Sequence, residues 1–306
     1  MKEYLSTATP LDHARLCAVL TRLADAYPAM ELSYLGKSML GRAIPLLKIG
    51  QGRRAALYVG THHGMEWITS ALLLRFWEDF CDAHAHKRRV GGVCPSDLCR
   101  TCTLYVIPML NPDGAQYQIH GVTEDNPLYE RLIEMNGGST DFSHWQANAR
   151  GVDLNHNYDA GFAEYKELEA QNGITGGAPT RYSGLSPESE PEVSLLCNFI
   201  RFHRTHLRGV MTLHTQGEEI FFRSGGVTLP NSMQIAQKLS ALTGYRPSDA
   251  EGLASYGGLT DWCVQELELP AFTLECGRGE NPLPFSDLSA IYVNLRNALF
   301  RFPMLL

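Results

Sequence analysis

The chain has 306 residues, 44% of them hydrophobic, with 26 Lys and Arg against 33 Asp and Glu for a formal net charge of -7. That length supports a large buried core, and the simplest arrangement is a single domain over residues 1–306. The acidic balance works against nucleic acid and anionic lipid, and no apolar run is long enough to cross a bilayer, so a peptide or small-molecule substrate fits better than a nucleic-acid or membrane partner.

The stretch Met1 to Pro10 lacks the basic, apolar, small-residue order of a secretory signal, and a cytoplasmic protein is expected. Leu16, Val19, Leu20 and Leu23 recur at helical spacing up to Pro28. Two extended segments follow, Glu31 to Leu35 and Ala43 to Ile49, split by the turn-rich stretch Gly36 to Arg42 and read as an antiparallel pair. Ala55 to Val59 is a buried-strand run that leads through Gly60-Thr61-His62-His63-Gly64 into a helix over Glu66 to Phe80. Thr103 to Leu110 is a strand ending at the turn Asn111-Pro112-Asp113-Gly114. A long polar excursion is expected from Thr123 to Arg150. Further strands are expected at Gly209 to Leu213 and Ala271 to Leu274, with helices at Glu190 to His203, Asn231 to Leu242 and Asp287 to Phe300. This alternation predicts an α/β fold, a mixed, mostly parallel twisted sheet flanked by helices, with ligands at the carboxyl ends of its strands.

The eight cysteines are scattered, and reduced thiols are expected. Only Cys94, Cys99 and Cys102 cluster, with no second pair or partner nearby to make a zinc or redox site. His84 and His86 beside Lys87, Arg88 and Arg89 read as a solvated loop.

His63 and Glu66, three residues apart at a helix entrance, can grip one metal ion from the same side. His62 competes with His63, since its spacing to Glu66 also suits a helix. A catalytic zinc wants a third protein ligand and an open position, and His214 at a strand end is the natural candidate. No nucleophile elbow and no glycine-rich phosphate loop is present.

The stretch Thr61-His62-His63-Gly64-Met65-Glu66-Trp67-Ile68-Thr69 resembles the H-x-x-E-W-I-T signature of carboxypeptidase A-like zinc enzymes. Further likenesses follow in the same order: Gly36-Lys37-Ser38 with Gly41-Arg42, Asn111-Pro112-Asp113-Gly114, Gly151-Val152-Asp153-Leu154-Asn155, Ser189-Glu190-Pro191-Glu192, Gly258-Leu259-Thr260-Asp261-Trp262, and Phe272-Thr273-Leu274-Glu275. The Ser189 segment also has the form of a capping box. The resemblance implies one zinc ion on His63, Glu66 and His214, a water as fourth ligand, and Glu275 as general base. It favours His63 over His62 and places Asp153 behind a ligand imidazole.

The family's carboxylate-clamping arginine is replaced, because Asn155 is followed by His156. Arg150 is the candidate for polarising the scissile carbonyl, and Asn155, His156, Tyr256 and Arg278 are candidates for holding substrate. The segments Gly151 to Tyr158 and Ser255 to Trp262 resemble a bacterial branch that cleaves γ-D-glutamyl-diaminopimelate bonds of peptidoglycan stem peptides, which implies a muropeptide substrate and cytoplasmic processing of released peptides. The alternatives are a zinc carboxypeptidase on ordinary peptides and a non-catalytic zinc- or peptide-binding relative. The oligomeric state is left open.

Overall fold

A computed structural model describes residues 10–306; the expectation drawn from the absence of a signal in the first ten residues lies, apart from Pro10, outside the described residues. Eight strands form one mixed sheet: β1 (Met30–Lys37), β2 (Ala43–Ile49), β3 (Arg54–Gly60), β4 (Cys102–Ile107), β5 (Leu207–His214), β6 (Glu219–Phe221), β7 (Arg246–Ser248) and β8 (Ala271–Glu275). Their order is β1-β2-β4-β3-β5-β8-β6-β7. The four middle strands β4, β3, β5 and β8 run parallel, and antiparallel pairings at β2 and β6 flank them. Every residue of β4, and all of β3 after Arg54, is buried, which explains why these strands read as continuous apolar runs rather than as alternating ones.

Successive residues of the middle strands feed opposite faces. Ala56, Tyr58, Leu104, Val106, Met211 and Phe272 join one core with the helices His13–Ala26, Ile68–Ala85, Ser232–Thr243 and Leu288–Leu305. Ala55, Leu57, Val59, Ile107, Val210 and Ala271 join the other with Pro191–His203 and Leu259–Gln265. Because β3, β5 and β8 are parallel and in register, Gly60 pairs with Leu213 and His214 with Glu275, so three chain segments leave the sheet on one edge.

Several boundaries differ from the sequence expectation. The residues Asn111 to Gly114, expected as a turn, begin the helix Pro112–His120: the Asn111 side chain accepts the Gly114 N–H, and Pro112 occupies the first turn, where its missing donor costs nothing. The long helix starts at Ile68 after a short 3₁₀ turn, Gly64–Glu66. Ser189 makes no capping box; its hydroxyl donates to Glu190, while Glu192 accepts the Met39 N–H at 2.9 Å. Within the expected excursion, the helix Tyr129–Met135 and the aromatic residues Phe142 and Trp145 form a third apolar cluster. No helix among the described residues is long and apolar enough to cross a membrane.

Candidate metal centre

β3 ends at Gly60, and Thr61, at a φ of 52°, turns the chain so that His63 and Glu66 face the carboxyl edge of the sheet. Thr69 holds this turn, accepting the Thr61 N–H and donating to the Glu66 carbonyl, both at 2.8 Å. Asn111 ties it from the next strand exit, its amide donating to the His62 carbonyl at 2.9 Å. His214, the last residue of β5, completes the group.

One nitrogen or oxygen from each of His63, Glu66 and His214 lies within 4.8 Å of the others. His63 Nδ1 is 2.9 Å from Glu66 Oε1, His214 Nδ1 is 3.2 Å from Glu66 Oε2, and the two Nδ1 atoms are 3.3 Å apart. His63 Nε2 faces Asp153 Oδ1 at 3.0 Å. A carboxylate only accepts, so each ring nitrogen of His63 faces an acceptor, and despite burial the Glu66 and Asp153 carboxylates push its pKa well above the ordinary value; with a cation at Nδ1, the Nε2–H would still be held by Asp153. Two ring nitrogens and a carboxylate converging on one point are held together either by protons or by a cation, and a histidine pair with a carboxylate is a zinc donor set. The residues fit a metal. His63 has the carboxylate support typical of metal-binding histidines, whereas His214 Nε2 is buried without a hydrogen-bond partner.

His62 is excluded from the group by its own contacts. It is buried, with Nε2 3.0 Å from the Tyr158 hydroxyl and Nδ1 3.3 Å from Thr212 Oγ1, and its ring stacks on that of His214 at 5.1 Å. Burial, reinforced by the two neighbouring imidazoles, pushes its pKa well down.

Glu275 lies one strand over from His214, in direct register with it. Burial and the negative charge of Glu66 push its carboxyl well above the usual carboxylate range. A bound cation acts in the opposite direction. Asp153 accepts from His63, from Asn155 N at 3.1 Å and from Arg181 N at 3.0 Å, and the nearby imidazoles and these donors hold it far below its ordinary range despite burial.

Asn155 accepts the Leu259 N–H at 3.2 Å and so joins the Asp153 loop to the helix Leu259–Gln265. His156 is buried and stacks on Tyr165 with ring centroids 4.0 Å apart. Its Nδ1 is 2.9 Å from the Tyr256 carbonyl, which can only accept, and burial lowers its pKa. The neutral ring therefore spends its one donor on the backbone and leaves Nε2 as an acceptor. Tyr256 has a φ of 65° and lays its ring against Gly161, where a Cβ would meet Tyr256 Cδ1 at 2.5 Å.

Two expected arginines are engaged elsewhere. Arg150 donates to both carboxylate oxygens of buried Glu190 and to the Ser189 carbonyl. Arg278 is 76% exposed and pairs with Glu218 at 2.6 Å. Sequence reasoning missed Asn281, whose amide donates to the Thr215 carbonyl at 2.7 Å and approaches Glu66 Oε1 at 3.5 Å. No pattern marks it, because it reaches the centre from a loop.

A profile described as zinc carboxypeptidase matches residues 16–298. Among curated relatives, the γ-D-glutamyl-L-diamino acid endopeptidase 1 of Lysinibacillus sphaericus is 34% identical over 92% of this chain and 69% of its own. Among solved structures, the carboxypeptidase A of Helicoverpa armigera has a TM-score of 0.70 at 21% identity, covering 96% of this chain and 73% of that one. The murein-tripeptide amidase of Escherichia coli O157 has a TM-score of 0.53 at 21% identity over 90% and 92%. These two structures share the fold.

Proposed function

The chain belongs to the zinc carboxypeptidase family, and from that premise we propose that it cleaves the γ-D-glutamyl bond to diaminopimelate in peptidoglycan stem peptides, using one zinc ion on His63, Glu66 and His214 with Glu275 as general base. The convergence of three ligand atoms within 4.8 Å beside Glu275 carries the reaction class. The substrate class is supported by the relative from Lysinibacillus sphaericus, which is named a γ-D-glutamyl-L-diamino acid endopeptidase, and by His156, which offers no fork for a terminal carboxylate.

When bound, zinc supplies a Lewis acid at this point and lowers the pKa of a water there. The chain's own residues do the rest. Asp153 fixes the His63 ring so that Nδ1 faces inward. The Glu275 carboxylate takes a proton from the attacking water and returns it to the leaving amine nitrogen. We assign Asn155 and Tyr256 to holding substrate beside His156, whose Nδ1 lies 2.9 Å from the Tyr256 carbonyl. We assign Arg150 to holding Glu190 and the start of the helix Pro191–His203, and Arg278 to Glu218. A cytoplasmic location is part of the same reading, supported by eight unpaired cysteines, of which six are buried.

The test is hydrolysis of L-Ala-γ-D-Glu-meso-diaminopimelate beside an ordinary blocked dipeptide, with chelator controls. Chelator-sensitive cleavage of the γ-glutamyl bond is expected; cleavage of the ordinary dipeptide alone would make the protein a general carboxypeptidase. Glu275→Gln should abolish turnover and keep its zinc, whereas His214→Ala should lose the metal. Full activity in the Glu275 variant would remove the general base.

A further inference from the structure

Arg42, Arg150 and Arg278 are each joined to a carboxylate of the chain, respectively Asp113, Glu190 and Glu218. Arg181 is exposed, and its guanidinium has no ion-pair or hydrogen-bond partner among the described residues. Its backbone is nevertheless tied to the centre on both sides. The Arg181 N–H donates to Asp153 Oδ2 at 3.0 Å, and Asp153 Oδ1 holds His63 at 3.0 Å. The Arg181 carbonyl accepts from the Tyr165 hydroxyl at 3.0 Å, and the Tyr165 ring stacks on His156. The residue sits at a φ of 68°, a left-handed conformation that costs a long side chain roughly 1–3 kcal/mol and persists only where surrounding bonds impose it. Those bonds hold the backbone of an unpaired arginine between the carboxylate that supports His63 and the tyrosine that stacks on His156, the imidazole whose donor is already spent.

We infer that Arg181 anchors a substrate carboxylate next to the scissile bond, supplying the bidentate fork that His156 cannot. The inference rests on the γ-glutamyl reading above. A glutamate linked through its γ-carboxyl leaves its α-carboxylate free on the acyl side, and the diaminopimelate carbon that bears the acylated nitrogen carries another on the amine side. A site for this bond therefore needs a cation within reach of the metal ligands, and these two carboxylates are the sources to be told apart.

The experiment compares kcat/KM of the zinc-loaded chain and its Arg181→Ala variant on three peptides: L-Ala-γ-D-Glu-meso-diaminopimelate, the same peptide with the glutamate α-carboxylate as an amide, and the same with the adjacent diaminopimelate carboxylate as an amide. On the parent peptide the variant should lose roughly 10- to 100-fold, the worth of a charge-assisted hydrogen-bonded pair, mainly through KM and with zinc content unchanged. On the one amide that lacks the anchored carboxylate it should lose nothing further, and that amide identifies the source. An equal loss on all three, or no loss on any, would overturn the anchor. A structural effect transmitted through Asp153 would lower all three together. If the wild-type chain cleaves only a blocked dipeptide, the γ-glutamyl reading fails, and the variant on that dipeptide against its C-terminal amide decides the anchor by the same rule. Calorimetric binding of L-Ala-D-Glu and L-Ala-D-isoglutamine, with diaminopimelate and its amide, gives a readout without turnover: an affinity loss in the variant for neither acid sinks the proposal.

Discussion

Gly64 stands between the two ligands of the first strand exit, and a Cβ there would lie 2.4 Å from the Gly114 carbonyl carbon and 2.5 Å from its oxygen. The obstruction is backbone, so no rotamer change relieves it. Gly64 is required by the close approach of the ligand turn to the helix Pro112–His120 rather than by an unusual φ. Gly64→Ala should cost about 1–3 kcal/mol of stability through overpacking and should weaken metal binding, because His63 and Glu66 flank the strained position. Thermal unfolding and metal titration of the variant check this. Wild-type affinity together with wild-type stability would show that the turn can shift without moving its ligands.

At the scale of elements, the start of the helix Pro191–His203 is a buried acidic knot. Glu192 accepts the Met39 N–H, and Arg150 neutralises Glu190. Burial, with the charges of Asp113 and Glu190 acting in the same direction, pushes the Glu192 carboxyl up to about 7 against bonds from Met39 and its own backbone. A carboxyl raised in the folded state binds its proton more tightly there than in the unfolded chain. Its contribution is complete below the ordinary value of 4.5 and is lost as pH climbs through about 7. Glu192→Gln keeps the shape and removes the titration. The variant should match wild type near pH 4 and exceed it by up to about 3 kcal/mol at pH 8 in denaturant unfolding. A difference that stays constant between those pH values would mean that Glu192 is already ionised in the fold. The knot also shows where sequence reading stops. Ser189-Glu190-Pro191-Glu192 has the spacing of a capping box, yet tertiary partners from residues 39 and 150 take both carboxylates. The middle strands were legible because burial on both faces leaves an unbroken apolar run, whereas β6 and β7, three residues each, carry too little pattern. His63, Glu66, His214 and Glu275 stood out at strand exits. Arg181 and Asn281 did not, because the loops that carry them have no period.

For the whole molecule, the metal donors come from two strand exits that meet only when β3 and β5 pair through Ala55 to Gly60. His63 and Glu66 are local to one another, but His214 joins them after the parallel core has assembled. A cation at this point therefore binds the native chain far better than the unfolded one, and its binding energy adds to stability. At zinc one hundred times above its dissociation constant the linkage is worth about 2.7 kcal/mol. For a chain of this length that corresponds to a rise in Tm of roughly 4 °C. His214→Ala should abolish most of the rise by removing the only donor from the second exit, while Glu275→Gln should keep it, because Glu275 lies beside the donors and is not one of them. Calorimetric scans of the three chains with and without zinc make the comparison. A rise retained in His214→Ala would move the metal to other residues, and a rise lost in Glu275→Gln would make that carboxylate a ligand and leave the chain without its base.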